Sequence, residues 1–168
     1  MKKALFFLCL LVLVFSSCEL PGAKSPWKLM KLYNGKPNIT VVNLGDSTHG
    51  HGDGTAYEGD LMDSTGKVIG EYIGWYVTVD VEKTDSNKAN HFSEKFLNIV
   101  LSLGPEDEII IQGGSFHPLV SHMIKQGIKG RTRAIVGGTG KYRGIRGEVV
   151  PYRLKDGTYV HDLIYRLD

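Results

Sequence analysis

The chain has only two cysteines and a net charge close to zero, and each of these features excludes a class of protein. Cys9 and Cys18 are the two cysteines in 168 residues, so a scaffold held by several disulfides is excluded. Twenty basic residues against 18 acidic residues give a formal charge of only +2, and the basic residues form no stripe interleaved with aromatics. No nucleic-acid partner is therefore expected, and stability must come from a hydrophobic core.

Long apolar runs are also scarce, and the longest one lies at the N-terminus. Lys2 and Lys3 precede an apolar run over residues 4–15, which is short for a membrane-spanning helix but fits the hydrophobic region of a secretory signal. Small residues then stand directly before Cys18, which resembles the lipobox of bacterial lipoproteins. We predict a signal peptide over residues 1–17, lipidation of Cys18, and an extracytoplasmic location. The protein would be anchored to a bacterial membrane, or secreted if an ordinary signal peptide is cut nearby.

Prolines mark the segment that follows the predicted cleavage site. Pro21, Pro26 and Pro37 lie within residues 18–37, a composition typical of a linker. We therefore predict a lipidated N-terminus, tether and lead-in segment over 18–37 and one folded domain over 38–168.

Clear helical periodicity is missing from this domain, whereas strand patterns recur. Between Lys67 and Asp80, alternate positions share one face, and the last segment, Thr158 to Leu167, alternates in the same way. Turn signals such as Lys155-Asp156-Gly157 separate the apolar stretches. Seven or eight strands without intervening helices predict an all-β antiparallel barrel or sandwich, and closure into a barrel would remove exposed edges.

The glycine-rich stretch RAIVGGTGKYRGIRGEV, residues 133–149, invites comparison with phosphate-binding loops. A Walker A loop needs glycine and a hydroxyl residue where Ile135 and Tyr142 stand, and a dinucleotide loop needs glycine where Arg143 stands. Both sites are excluded. The stretch is instead predicted to be the turn between two late strands.

A loop rich in histidine and aspartate raises the question of a metal site. His49, His51 and Asp53 are of the ligand types that metals use, but their spacing matches no zinc pattern. Solvated turn residues are the favoured interpretation, and no metal is predicted.

Three stretches taken in order carry a family resemblance. The sequence AIVGGTGKYRGIRGEV, residues 134–149, resembles the signature of dirigent proteins. The order of YEGDLMDSTGKVIGEYIG, IIIQGGSF and GGTGKYRGIRGEV is similar to that in allene oxide cyclases. The resemblance implies an eight-stranded antiparallel β-barrel that forms a homo-oligomer, a trimer or dimer, with a cavity at one end and no cofactor. The glutamate that the cyclases carry on their first strand has no counterpart in residues 39–44, where Asn43 is a polar residue placed to line a pocket.

Three titratable residues are candidates for catalysis, each with an alternative role. Asp60 is a candidate acid or base, or a carboxylate that caps a turn. Arg146 is a candidate anion binder, or the partner of Glu148 or Asp60 in an ion pair. His161 is a candidate proton carrier, or a buried hydrogen-bonded histidine.

Five residues are candidates for contact with a ligand, and aromatic core packing is the alternative for the tyrosines. They are Asn43, Tyr72, Tyr76, Tyr159 and Tyr165.

Three functions remain open at this stage. The first is a barrel that binds a small apolar molecule in its cavity, and the second is a cofactor-free cyclase, isomerase or dirigent-like stereocontrol factor acting on a lipid or phenolic substrate. The third is a structural oligomeric lipoprotein without a ligand. A barrel filled with side chains would exclude the first two.

Overall fold

The computed structural model describes residues 25–44, 51–81, 92–118 and 130–168. Within these ranges the chain forms nine strands and one short 3-10 helix at Gly140–Tyr142. The strands are β1 Lys28–Asn34, β2 Asn38–Val42, β3 Gly54–Met62, β4 Val68–Val81, β5 Phe92–Ser102, β6 Glu108–Pro118, β7 Arg133–Gly138, β8 Ile145–Arg153 and β9 Tyr159–Leu167. None of the helical structure described in these ranges is long and apolar enough to cross a membrane.

The nine strands form one closed antiparallel barrel with eight strand positions. Each strand from β3 to β9 pairs with the next, and β1 closes the ring between β9 and β3. Strands β1 and β2 share one position because both pair with β3: Asn34 lies opposite Leu61, and Asn38 lies opposite Glu58. The predicted all-β barrel is confirmed, and ring closure leaves few unpaired backbone groups.

The start of the barrel differs from the predicted boundary. β1 lies within residues 18–37, which were predicted to be a tether, yet its seven residues pair with β9 from Lys28 to Asn34. Pro26 precedes this strand and Pro37 follows it, so the prolines flank the strand rather than interrupt it. The barrel therefore begins at Lys28 rather than at residue 38. The predicted signal peptide and Cys18 lie outside the described residues.

One half of the barrel interior is filled with aliphatic side chains. Alternate residues of each strand point inward, and at this end of the barrel they are buried almost completely. We call the following set the packed half: Leu32, Leu61, Leu97, Ile99, Leu101, Ile109, Ile111, Ile135, Tyr142, Ile145, Val149, Leu163 and Tyr165. Tyr72, which is 4% exposed, belongs to the same cluster and lies at its border with the other half of the interior. The area that these residues remove from water is the main stabilising contribution to the fold.

The glycine-rich stretch closes the barrel at this packed end, as the predicted turn between two late strands. Gly140 has a φ of +54°, and its α-carbon lies so close to the loop at Glu106 and Asp107 that a side chain would collide with that loop. Lys141 donates its backbone N–H to Asp107 over 3.0 Å and forms an ion pair with the same carboxylate at 2.8 Å. The backbone N–H of Thr139 donates to the carbonyl oxygen of Glu108. The stretch therefore locks two loops together and has a structural role.

Candidate functional site

The opposite half of the barrel interior carries polar and aromatic side chains on the same inward-facing positions. We call this set the polar half: Asn34, Thr55, Tyr57, Tyr72, Tyr76, Thr78, Lys95, Ser115, Arg133, Tyr159 and His161. Several of these groups are buried, including Asn34, Thr55, Thr78, Ser115 and His161. Because buried polar groups destabilise a fold unless they find partners, their concentration at one end marks the candidate site.

Three tyrosines form a ladder along the wall made by β3 and β4. The ring centroid of Tyr57 lies 6.1 Å from that of Tyr72 and 6.0 Å from that of Tyr76, with tilted planes. Glycines make the ladder fit: the Tyr57 ring lies over Gly74, and a β-carbon on Gly59 would lie 2.9 Å from the Tyr72 ring. The alternation of tyrosine and glycine therefore places aromatic faces flat against the barrel wall.

His161 lies fully inside the barrel and is held by Asn34. The Nδ2 group of Asn34 donates to the carbonyl oxygen of Gly35 over 3.1 Å, which leaves Oδ1 as the acceptor that faces His161. The His161 Nε2–H therefore donates to Asn34 Oδ1 over 2.6 Å, and Nδ1 carries the lone pair. Burial, with the positive charge of Arg133 as a second cause, lowers the pKa of His161 to about 4. The imidazole is neutral at pH 7.

Arg133 brings a positive charge into the polar half. Its Nη2 donates to Ser115 Oγ over 3.1 Å, and its aliphatic stem passes over Gly113, where a β-carbon would lie only 3.2 Å from the Arg133 Cγ. Burial lowers the pKa of the guanidinium, and the phenols of Tyr57 and Tyr159 nearby oppose that effect. Arginine nevertheless stays charged at neutral pH.

Three polar atoms of the polar half are buried and have no hydrogen-bond partner among the described residues. They are Arg133 Nε, His161 Nδ1 and the Tyr72 hydroxyl. Burial raises the pKa of the Tyr72 phenol, and the neighbouring Asn34 side chain opposes part of that rise. Arg133 Nε and His161 Nδ1 are thus left unsatisfied at one end of the barrel, and the Tyr72 hydroxyl lies beside the Asn34 side chain without a well-aligned hydrogen bond. Each such group is unfavourable by roughly 1–3 kcal/mol, an arrangement that a bound polar group would relieve.

The mouth of the polar half is formed by β2. Ile39 and Val41 point toward the interior, opposite Tyr57 and Thr55, yet their side chains are 57% and 61% exposed among the described residues. Lys95 also lies at this end, with its Nζ 3.9 Å from the centroid of the Tyr76 ring. All five residues of β2 are exposed, on both faces of the strand, so β2 forms an exposed rim at this end of the barrel.

The structure brings four of the predicted site residues together. His161, Tyr72, Tyr76 and Tyr159 all belong to the polar half. Tyr165 points inward from the same strand as Tyr159 but packs within the aliphatic core, where it is 8% exposed. For Tyr165, core packing is the role that its surroundings support.

The remaining three predicted residues lie away from this interior. Asp60 lies on the outer face of β3 opposite Glu71 and is exposed. Arg146 is exposed on the outer face of β8, and its guanidinium donates to the carbonyl oxygen of Ile145 over 2.7 Å. Asn43 follows the last residue of β2 and is exposed. Asp60 and Arg146 fall on the outer face because each is one residue out of phase with the inward positions.

Sequence reasoning missed Arg133, Tyr57 and Asn34 as site residues. Arg133 could have been recognised from the sequence, because it stands two residues before Ile135 and therefore shares the inward face of the strand. Asn34 was missed because its strand was assigned to the tether.

The histidine and aspartate loop is described in part. His51 is exposed, whereas Asp53 is buried, and its Oδ1 accepts the backbone N–H of Leu44 over 2.9 Å. Burial of Asp53 differs from the solvated turn that the sequence predicted. Within the described ranges no three potential metal ligands lie together, and His49 lies outside those ranges.

Sequence comparisons give no family assignment. No protein-family model matches the chain, and no curated protein matches its sequence.

Solved structures do resemble it. One named pyocyanin demethylase is 22% identical, with a TM-score of 0.59 over 81% of this chain and 99% of its own. A second, described as a nonspecific heme-binding cyclase that catalyses a [4 + 2] cycloaddition during neoabyssomicin biosynthesis, is 16% identical, with a TM-score of 0.61 over 99% of this chain and 76% of its own. The Diels Alderase AbmU from Streptomyces koyangensis is 16% identical, with a TM-score of 0.60 over 84% of this chain and 64% of its own. At these identities the likeness shows a shared barrel fold.

Proposed function

We propose that this protein binds a small, largely apolar molecule in the polar half of its barrel. One observation carries the proposal: the interior is filled by apolar side chains at one end, whereas the other end collects aromatic rings and buried polar atoms without partners. Aromatic walls with a few polar groups are the usual lining of a small-molecule site. Two of the similar structures are named for reactions on small molecules, which supports the same function here.

The walls of this half suit a flat or aliphatic ligand body. Tyr57, Tyr72 and Tyr76 offer ring faces, and the inward side chains of β2 add aliphatic surface at the mouth. Aromatic side chains give large contact areas with few rotatable bonds, so they bind apolar groups at a low entropic cost.

The proposal is tested by filling the mouth. Val41→Trp places an indole at an inward position, whereas Val42→Trp places the same group on the outward face of the same strand, where Val42 is 52% exposed. Binding of the neutral aromatic probe methyl 2-naphthoate is measured by isothermal titration calorimetry, and co-purifying small molecules are identified by mass spectrometry. We expect Val41→Trp to weaken probe binding at least tenfold and Val42→Trp to leave it unchanged.

A different outcome favours the third function. If the unsubstituted protein binds no probe and carries no small molecule, a structural lipoprotein without a ligand is the better description. If both substitutions weaken binding equally, the ligand does not enter through the inward face of β2.

A cofactor-free cyclase or isomerase is the second candidate, favoured by the unpartnered buried donors. Arg133 Nε–H and the Tyr72 O–H are available to an oxygen that gains negative charge during a reaction, and fixed donors in a water-poor site stabilise such charge strongly. His161 is poorly suited to remove a proton, because a base with a pKa near 4 gives little driving force at neutral pH. The chemistry would therefore come from binding shape and donors.

A binding protein and an enzyme are distinguished by the compound that co-purifies with tyrosine variants. Tyr72→Phe removes one donor and keeps the ring, and Tyr152→Phe makes the same change on the outer face, where the hydroxyl accepts a hydrogen bond from Lys31. For a binding protein, the compound recovered from all three proteins is identical. For an enzyme, Tyr72→Phe accumulates the unconverted substrate of a cyclisation or isomerisation, whereas Tyr152→Phe does not.

We further propose that the chain is a relative of the allene oxide cyclase and dirigent barrels that is exported and lipidated at Cys18. The lipobox-like sequence and the order of three stretches in the printed sequence support this. Mass spectrometry of the N-terminal peptide after bacterial expression tests it. A diacylated Cys18 is expected in the unsubstituted protein, and a Cys18→Ser variant that still partitions into membranes would contradict anchoring through this residue.

An oligomer, a trimer or dimer, belongs to the same proposal. The outer face of β4 and β5 exposes Ile73, Trp75, Val79 and Phe96, which form a contiguous apolar strip. Exposed strips of this kind are typical of subunit contacts. Light scattering after size exclusion is expected to show an oligomer that Trp75→Glu converts to a monomer, and an unchanged mass would exclude this face as the contact.

A further inference from the structure

We propose that the ligand of the polar half carries a carboxylate group, and that the guanidinium of Arg133 holds it. This inference deepens the proposed binding function and rests on it. It adds the chemical class of the ligand: a small organic acid whose apolar body lies against the tyrosine ladder.

The first argument is the state of Arg133. Its guanidinium is largely enclosed by the barrel, with one hydrogen bond to Ser115, and its Nε–H is buried without a partner. Among the described residues no carboxylate lies within 4.0 Å of it. A buried charge without an opposite charge is strongly unfavourable, so an anion supplied by the ligand would compensate it.

None of the inward-facing side chains that make up the polar half carries a negative charge. His161 is neutral, and the phenols of Tyr57 and Tyr72 stay protonated because burial raises the pKa of each. Lys95 adds a second cation nearer the mouth. The inward-facing charges of this half, on Arg133 and Lys95, are therefore positive, which favours an anionic ligand, while the nearest carboxyl groups belong to Asp162 on the outer face of β9 and to Asp53 beside Thr78.

The third argument selects a carboxylate among anions. The guanidinium carries one positive charge, which a carboxylate balances, and its planar donor edge can bind a carboxylate through two parallel hydrogen bonds. A phosphate binds guanidinium equally well but carries up to two negative charges, so part of its charge would remain unbalanced at Arg133.

The test uses a matched pair of probes, 2-naphthoate and methyl 2-naphthoate, which share the ring and differ in charge. Dissociation constants are measured by calorimetry at pH 7 for the unsubstituted protein and for Arg133→Met. Arg131→Met is the control, since Arg131 is an exposed arginine that precedes β7 and the substitution removes the same charge. We expect the unsubstituted protein and the control to bind the acid roughly tenfold or more tighter than the ester. In Arg133→Met this preference should disappear while ester binding stays within about twofold.

If Arg133→Met does not fold, a second variant that disturbs the protein less is used instead. Ser115→Ala keeps the charge but removes the hydroxyl that accepts from Nη2, so acid binding should weaken severalfold with ester binding unchanged. Circular dichroism and thermal unfolding verify the barrel in each variant.

The outcomes separate this inference from the proposed function. If the unsubstituted protein binds the ester at least as tightly as the acid, if the acid preference survives in Arg133→Met, or if it is undiminished in Ser115→Ala, the carboxylate inference is overturned while the binding function stands. If neither probe binds, the binding function fails and the inference fails with it.

Discussion

The packed half and the polar half of the barrel are built from the same strands with the same alternation, yet most inward residues are aliphatic in the first and polar or aromatic in the second. In β9, Leu163 fills the packed half at 0% exposure, whereas His161, two residues earlier, is buried in the polar half with an unpartnered nitrogen. In β7, Ile135 and Arg133 show the same contrast. One half satisfies the rules of core packing, and the other retains buried polar groups without partners. Proteins tolerate such groups where function requires them.

The packed half should supply most of the stability. Leu101→Ala removes a fully buried side chain and leaves a cavity, so we expect the free energy of unfolding to fall by roughly 2–5 kcal/mol. Val41→Ala, an inward residue of the polar end that is 61% exposed, should change it by less than about 1 kcal/mol. Urea denaturation of both variants measures this difference, and equal losses would show that the polar half is as tightly packed as the other.

The polar half should make stability depend on pH. The pKa of His161 is about 4 in the folded protein against 6.5 when exposed, so unfolded chains bind the proton first as pH falls through 6.5. The free energy of unfolding is therefore highest above pH 6.5, and it falls by about 3 kcal/mol through His161 as the pH is lowered to 4. Burial is the main cause, Arg133 adds to it, and Asp162 opposes it.

The measurement is the free energy of unfolding between pH 7 and 4.5, for the unsubstituted protein and for His161→Gln. The variant should lose most of the slope. The carboxylates of Asp63, Asp107 and Asp156 have lowered pKa values, so the stability that they contribute is lost mostly as pH falls past the ordinary value of 3.8, below this range. An unchanged slope in the variant would assign the pH dependence to other groups.

Substitution of a glycine under the tyrosine ladder should have a smaller effect, on both the free energy of unfolding and probe binding. Gly74→Ala would push the Tyr57 ring away from the wall, and we expect a loss of roughly 1–3 kcal/mol together with weaker binding of methyl 2-naphthoate. Gly137→Ala is the control, because no atom lies within 4 Å of the added β-carbon. If the two variants behave alike, the position of the Tyr57 ring does not depend on Gly74.

The smallest effect is expected on the outer face. Asp60→Ala and Arg146→Ala alter exposed residues, so the free energy of unfolding should change by no more than about 0.5 kcal/mol. Probe binding should not change either. A tenfold loss of binding in either variant would return that residue to the site.

The alternation of residues allowed much of the fold to be predicted. The face shared by Tyr159, His161, Leu163, Tyr165 and Leu167 in β9 was readable as a period of two, and the glycine stretch as a turn between late strands. β1 escaped prediction because flanking prolines resemble a linker when the pairing partner, β9, lies more than a hundred positions away in sequence. Local patterns do not specify partners at that distance.

The candidate site was predictable only in part. Tyr72, Tyr76, Tyr159 and His161 were identified because large or titratable residues on inward positions stand out in a sequence. Asp60 and Arg146 were selected by chemical type alone and lie outside the barrel.

The sequence by itself determined an all-β antiparallel fold, a barrel or a sandwich, because alternation and turn residues are local properties of the chain. Only the tertiary structure decided which end of the barrel is filled. Ring closure brings Asn34 and His161, distant in sequence, to within 2.6 Å and encloses Arg133 between strands whose inward residues leave its Nε unpartnered. Burial and partner choice arise from contacts between distant segments, and these properties make the polar half a site.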